Sequence, residues 1–133
     1  MKIFITGSAG FVGFSLAKHL LEKGHEIHSI DNINDYYNKS LKLKRLEILQ
    51  KYPKFSFEKC DLLDKSQIKK IFKENSFKVI VHLAAQAGVR HSLTNPYEYI
   101  DSNIIGFLNI LEEIKDYGIE HFLYASSSSV YGM

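Results

Sequence analysis

An α/β fold built on a parallel, doubly wound sheet is what this sequence predicts, and three observations predict it. Strand-like apolar runs alternate with helical patterns along all 133 residues. Such alternation builds parallel sheets through right-handed crossovers, with helices on both faces. The first strand runs straight into spaced glycines, Gly7-Ser-Ala-Gly10-Phe-Val-Gly13, and a helical pattern opens at once. The second strand closes on an acid, Asp31, eighteen positions after Gly13.

The elements follow in order. Lys2–Thr6 is an apolar, β-prone strand, and a helix runs from about Phe11 to Lys23, with Val12, Leu16 and Leu20 one turn apart on one face. Gly24 is a natural stop. Glu26–Asp31 is the second strand. A polar loop, Asn32 to Ser40, leads to a helix over Leu41–Gln50 with Leu43, Leu46 and Leu49 at near-helical spacing. After Pro53, Lys54–Lys59 alternates with Phe55 and Phe57 on one side, as a strand does. Asp61-Leu-Leu-Asp64 turns the chain, and Asp64 is placed to cap a helix over Lys65–Glu74. Val79-Ile-Val-His-Leu83 is a near-continuous apolar run, a strand buried on both faces. The small residues Ala84–Gly88 follow it. Thr94 or Asn95 caps a long helix with Pro96 in its first turn, running to about Tyr117 with Gly118 as its stop. Phe122–Ser126 is the fifth strand and enters a run of four serines. The predicted strand order is 3-2-1-4-5.

In a sheet of this kind, ligands bind beyond the carboxyl ends of the strands. Five segments converge there: Gly7–Gly13, Asp31-Asn32, Asp61-Leu62, Leu83–Gln86 and Ser126–Ser129. The first is a phosphate cradle. Gly7 permits a turn that a Cβ obstructs, Gly10 lets the backbone approach a pyrophosphate, and Gly13 lets the helix sit close on the strand. The unpaired N–H groups and the dipole of the helix start then favour an anion. With an acid about 20 residues on to hold a ribose, this is the dinucleotide-binding pattern of a Rossmann-type fold. Asp31 accepts from ribose hydroxyls and repels a 2′-phosphate, and Asn32, Ile33 and Asn34 bring no arginine to reverse that preference, so the expected cofactor is NAD.

Composition narrows the classes. Apolar residues make up 45 % of the chain, enough for a real core, and net charge is +2, which calls for no nucleic-acid partner. No apolar run approaches the roughly 18 residues that cross a bilayer, and the N-terminus lacks a signal-peptide pattern, so no membrane partner and a cytoplasmic location are expected. One cysteine and six scattered histidines leave no disulfide and no metal motif. Cys60 reads as an inert buried thiol and His82 as a packed strand residue. Lys39, Lys42, Lys44 and Arg45 read as a solvated helix face. Arg90 suits either a phosphate or carboxylate contact or simple solvation.

Taken together these residues resemble the N-terminal part of extended short-chain dehydrogenases/reductases, in the NAD-dependent nucleotide-sugar epimerase and dehydratase group. The resemblance rests on Thr6-Gly-Ser-Ala-Gly-Phe-Val-Gly13, Asp31-Asn32, Asp61-Leu62, His82-Leu-Ala-Ala-Gln86 and Ser126-Ser-Ser-Ser-Val-Tyr-Gly132. Asp31-Asn-Ile-Asn-Asp-Tyr-Tyr37 with Leu41, Lys42 and Arg45, and Ala84-Ala-Gln-Ala-Gly-Val-Arg90, look like the UDP-glucuronate 4-epimerase type. The resemblance implies roles position by position. Phe11 and Val12 would give backbone N–H groups to the pyrophosphate, Asp31 would hold the adenosine ribose with Asn32 also on the cofactor, and Asp61 and Leu62 would contact the adenine. Leu83, Ala84, Ala85 and Gln86 would line the path to the nicotinamide ribose, with Asn103 helping to hold the site. Ser127 would be the catalytic hydroxyl beside the reacting sugar carbon, and Ser128 and Ser129 would sit near the sugar.

The resemblance also implies a Tyr-x-x-x-Lys pair about 25 residues beyond Val-Tyr-Gly. None of the eight tyrosines has a lysine four positions later. The expectation is a C-terminally truncated NAD-binding unit over residues 1–133, inactive alone, whose fifth strand offers an open edge for association. The full-length enzyme would be a homodimer that epimerises a UDP-sugar at C4, UDP-glucuronate first. A dehydratase or decarboxylase of the same group, or a non-catalytic NAD-binding fragment, is the alternative.

Overall fold

The computed structural model describes residues 1–132 and shows a five-stranded parallel sheet in the order β3-β2-β1-β4-β5. The strands are β1 (Lys2–Thr6), β2 (Glu26–Asp31), β3 (Phe55–Lys59), β4 (Val79–His82) and β5 (His121–Tyr124). Helices α1 (Phe11–Glu22), α2 (Lys39–Leu49) and α3 (Lys65–Glu74) fill the first three crossovers. Between β4 and β5 lie α4 (Val89–Thr94), α5 (Pro96–Ile100), a π-helical turn (Asp101–Ile105) and α6 (Gly106–Ile114). The predicted fold class and strand order are both borne out.

The register places Ile3 opposite Ile27 and Val79, and Thr6 opposite Ile30 and His82. Alternation along β1 then sorts the core into two layers. Ile3 and Ile5 pack with Ala17 and Leu21 of α1 and Leu49 of α2. Phe4, between them in sequence, faces the other way and meets Ile68, Ile71 and Phe72 of α3 and Ile110 of α6. This is the double winding that a parallel sheet needs to keep both apolar faces from water.

Several boundaries and faces differ from expectation. The buried stripe of α1 is Gly13, Ala17 and Leu21, one position on from the predicted Val12, Leu16 and Leu20, and Val12 is exposed. Small residues decide the contact here, because they let the helix axis approach the sheet. In α2 the buried stripe is Lys42, Leu46 and Leu49, with Leu43 exposed. That helix begins two residues early because the Asn38 side chain caps it, accepting from the Ser40 and Leu41 N–H groups at 2.9 and 3.4 Å. Asp64 caps α3 as expected, accepting from the Gln67 N–H at 3.0 Å. The single long helix is instead broken. Pro96 starts α5 as predicted, but α4 precedes it, a π turn interrupts it, and α6 ends at Ile114, before Gly118. Strand β5 ends at Tyr124, so the serines lie beyond it, with Ser128–Tyr131 in a 3-10 turn.

Candidate functional site

The carboxyl ends of the strands open onto a cleft of about 770 Å³, a figure that includes its solvent-filled mouth. Gly7 and Gly10 form its floor; Asp31, Asn32, Asp61 and Leu62 line one wall, and Leu83, Ala84, Ala85 and Gln86 the other. Ten of the predicted residues therefore meet in one place.

The floor depends on missing side chains. Gly7 has φ +86°, and a Cβ on it would come within 2.9 Å of the Ala84 nitrogen. Its own N–H bonds the Ile30 carbonyl at 2.8 Å, fastening the turn to β2. A Cβ on Gly13 would sit 2.0 Å from the Gly7 oxygen, so α1 approaches the turn itself at closest range. A Cβ on Gly10 would meet only the Gly7 oxygen, at 3.3 Å, and would otherwise occupy open cleft. No side chain caps α1, and among the described residues nothing accepts from the Phe11 and Val12 N–H groups. An anion at this helix start finds unspent donors and a favourable dipole.

Asp31 is buried, and its carboxylate already works for the protein. One oxygen accepts from the Ile33 N–H at 2.8 Å, the other from the Ala9 N–H at 3.1 Å. Each oxygen keeps a further lone pair toward the cleft. Ile33 pays for the tight turn with φ +53°, a left-handed conformation that β-branched residues rarely adopt. Further along the same wall, Asp61 accepts from the Leu63 N–H at 2.9 Å, and the Leu62 carbonyl accepts from the Asn109 side chain at 2.7 Å. Gly106 lets α6 close onto Leu62: a Cβ there would fall 2.7 Å from the Leu62 Cβ.

The opposite wall hangs from Thr6. Its hydroxyl oxygen accepts from the Leu83 and Ala84 N–H groups, both at 3.0 Å, and lies 2.8 Å from His82 Nδ1. With two donors pointing in, the hydroxyl proton goes to the imidazole, which fixes His82 as the Nε2–H tautomer. Burial pulls the His82 pKa down from its ordinary 6.5 to about 4, so the ring is neutral and able to accept. Asn103, in the π turn, clamps Gln86: its Oδ1 accepts from the Gln86 N–H at 2.8 Å and its Nδ2 donates to the Gln86 carbonyl at 3.0 Å.

Other predicted residues lie elsewhere. Gly13 supports the floor from beneath, and Phe11 and Val12 project exposed side chains beside it. Ser127, Ser128 and Ser129 are exposed past β5 and do not line the cleft. Ser127 Oγ accepts from the Ser129 N–H at 3.1 Å, leaving its own proton to give. Arg90 is exposed on α4 and makes no ion pair among the described residues. Cys60 is buried at the cleft wall, and desolvation pushes its thiol up to about 12. The basic cluster is corrected in part. Lys39 and Lys44 are solvated, but the buried Lys42 ammonium donates to Asn34 Oδ1 and O at 2.8 and 3.2 Å, and Arg45 donates to the Ala9 carbonyl at 3.0 Å. The sequence reading missed Thr6, Lys42, Tyr36, Tyr37, Gly106 and Asn109 as builders of the site. Among the described residues, no group of three or more acidic, His or Cys side chains is placed to hold a metal, and no helix is long and apolar enough to cross a membrane.

Comparison with known proteins agrees with this geometry. Residues 4–133 match the family described as GDP-mannose 4,6 dehydratase. The chain is 52 % identical over 132 residues to Protein CapI of Staphylococcus aureus and 45 % identical over 127 residues to a UDP-glucuronate 4-epimerase of Thermodesulfobacterium geofontis. These matches cover 99 % and 96 % of the chain and 39 % of each relative. The UDP-glucuronic acid 4-epimerase of Bacillus cereus, solved with UDP-glucuronic acid and NAD, superposes with a TM-score of 0.91 at 33 % identity, over 99 % of this chain and 42 % of that one. The chain thus spans about two fifths of the length of the relatives it matches. The resemblance to the nucleotide-sugar epimerase and dehydratase group is borne out, and the chain belongs to the GDP-mannose 4,6 dehydratase family.

Proposed function

We propose that residues 1–133 are the NAD-holding part of an enzyme that inverts C4 of a UDP-sugar, with UDP-glucuronate and UDP-galacturonate as the interconverted pair. The observation that carries this reading is the cradle: an uncapped α1 start above Gly10, facing a cleft whose far wall presents Asp31. The relatives with UDP-glucuronate 4-epimerase names support the choice of sugar.

Bound NAD supplies a hydride acceptor that returns the hydride, so the reaction has no net redox change. The chain's residues bind and orient. The Phe11 and Val12 N–H groups hold the pyrophosphate, Asp31 and Asn32 the adenosine ribose, and Asp61 and Leu62 the adenine. Leu83 to Gln86, fixed by Thr6 and Asn103, form the wall on the nicotinamide side. Ser127 donates to the oxygen on the reacting carbon and steadies the charge that develops there. Ser128, Ser129 and Arg90 face the nucleotide sugar. The sequence holds no Tyr-x-x-x-Lys pair, so the chain alone is expected to bind cofactor without turning sugar over. The longer enzyme in this reading is a cytoplasmic homodimer.

Calorimetry with NAD and NADP tests the reading. NAD should bind, and NADP at least about tenfold more weakly, because a 2′-phosphate meets the Asp31 charge. Equal or tighter NADP binding overturns the cofactor choice. Absence of binding by either overturns the proposal.

A further inference from the structure

The two walls of the cleft come from opposite sides of β1, and an aromatic contact joins them across its mouth. From the β2 side, Tyr36 and Tyr37 line the cleft along with Asn32 and Asn34. From the β4 side, the wall continues through Ala87 to Gly88 and α4. The Tyr36 ring packs 4.6 Å from the His91 ring of α4, and Tyr37 braces it edge-on at 4.7 Å and 72°.

The seat for Tyr36 is built for it. Gly88 has φ +99°, and a Cβ on it would fall 2.1 Å from the Tyr36 hydroxyl. Position 88 therefore needs glycine twice over, for its backbone and for the ring above it. The seat is also held from beneath. The Tyr99 hydroxyl of α5 donates to the Ala87 carbonyl at 2.7 Å and reaches the Gly88 carbonyl, and its ring lies 6.0 Å from His91. A ligand reaching from Asp31 to Gln86 lies between the walls that Tyr36 ties together.

We propose that Tyr36, seated on Gly88 and His91, is a strap across the dinucleotide cleft whose opening sets the rate of cofactor entry and release. This rests on the dinucleotide reading above. It adds a positioning residue at the mouth of the cleft. An enzyme that takes hydride and returns it has use for such a strap, because cofactor lost between the two steps strands the oxidised sugar.

The test is stopped-flow fluorescence of NADH binding to the purified chain, with Tyr36→Ala, Gly88→Ala and the double variant. A gate slows passage in both directions. Removing it should therefore speed both entry and release by about tenfold, the kinetic equivalent of one aromatic contact pair, with the equilibrium constant moving far less. Gly88→Ala should reproduce this by unseating the ring, and in the Tyr36→Ala background it should add little. Hydrogen exchange gives an independent readout: amides 32–38 should exchange faster in Tyr36→Ala while those of β1 stay protected. Faster release with unchanged entry would make Tyr36 a direct cofactor contact and overturn the strap, as would unchanged rates. Failure of the unsubstituted chain to bind NADH overturns the dinucleotide reading itself, and the strap with it.

Discussion

The Lys42 ammonium is buried with two hydrogen bonds, both to Asn34, and no carboxylate within salt-bridge distance among the described residues. It pins the loop that carries Asn32 and Asn34 to the first turns of α2. Lys42→Ala should cost roughly 1.5–3 kcal/mol, the worth of hydrogen bonds from a charged donor, whereas Lys44→Ala, on the solvated side, should fall within about 0.5 kcal/mol of neutral. Urea unfolding of the two variants checks this, and equal costs would restore a wholly solvated cluster. His82 sets a pH dependence. Its folded pKa of about 4 lies below its ordinary 6.5, so the unfolded chain takes the proton first as pH falls. Stability is then full above about 6.5 and drains away as pH falls toward 4, by roughly 3 kcal/mol for a shift of this size. Burial lowers His28 as well, which adds a loss of the same sign. Urea midpoints between pH 7 and pH 4.5 should fall less steeply in His82→Asn, which cannot titrate. An unchanged slope would rule out His82 as the source.

Among the elements, two glycines separate space from backbone freedom. Gly13→Ala pushes a Cβ to 2.0 Å from the Gly7 oxygen, and should cost about 1–3 kcal/mol or more by overpacking. A Cβ on Gly118 would meet nothing within 4 Å among the described residues, and its φ is not left-handed, so Gly118→Ala should stabilise by about 0.4–1 kcal/mol through the unfolded chain. Thermal melts of both variants would expose an error in either sign. The same contrast explains what the sequence made legible. The strands were readable because alternation and continuous apolar runs are local signals, and so were the glycine turn and Asp31, which announce themselves by spacing. The faces of α1 and α2 were misread because Gly13, Ala17 and Lys42 carry no hydrophobic signal and owe their burial to what packs on them. Thr6 and Asn109 were missed because their partners lie 76–78 and 47 residues away. The π turn has no sequence signature of its own, although it sets Asn103 against Gln86 and is followed at once by Gly106 against Leu62.

At the scale of the whole molecule, the sheet is protected unequally. Among the described residues, strand β5 pairs only with β4, and its Leu123 and Tyr124 are 46 % and 58 % exposed. An open, apolar edge is a template for pairing with another chain. The chain should therefore self-associate as concentration rises, and Leu123→Lys should suppress this in light scattering behind size exclusion; an unchanged mass distribution would acquit the edge. The Thr6 hydroxyl has a consequence on the same scale. Three bonds from one rotor tie the end of β1 to the exit of β4, while the Gly7 N–H ties the adjoining turn to the end of β2. The middle three strands thus end in a single stiff plate. Whatever breathing lets a ligand in must be hinged at the rim, in residues 32–38 and 85–88, so a variant that softens the rim changes how fast the cleft fills without changing the shape of what it holds.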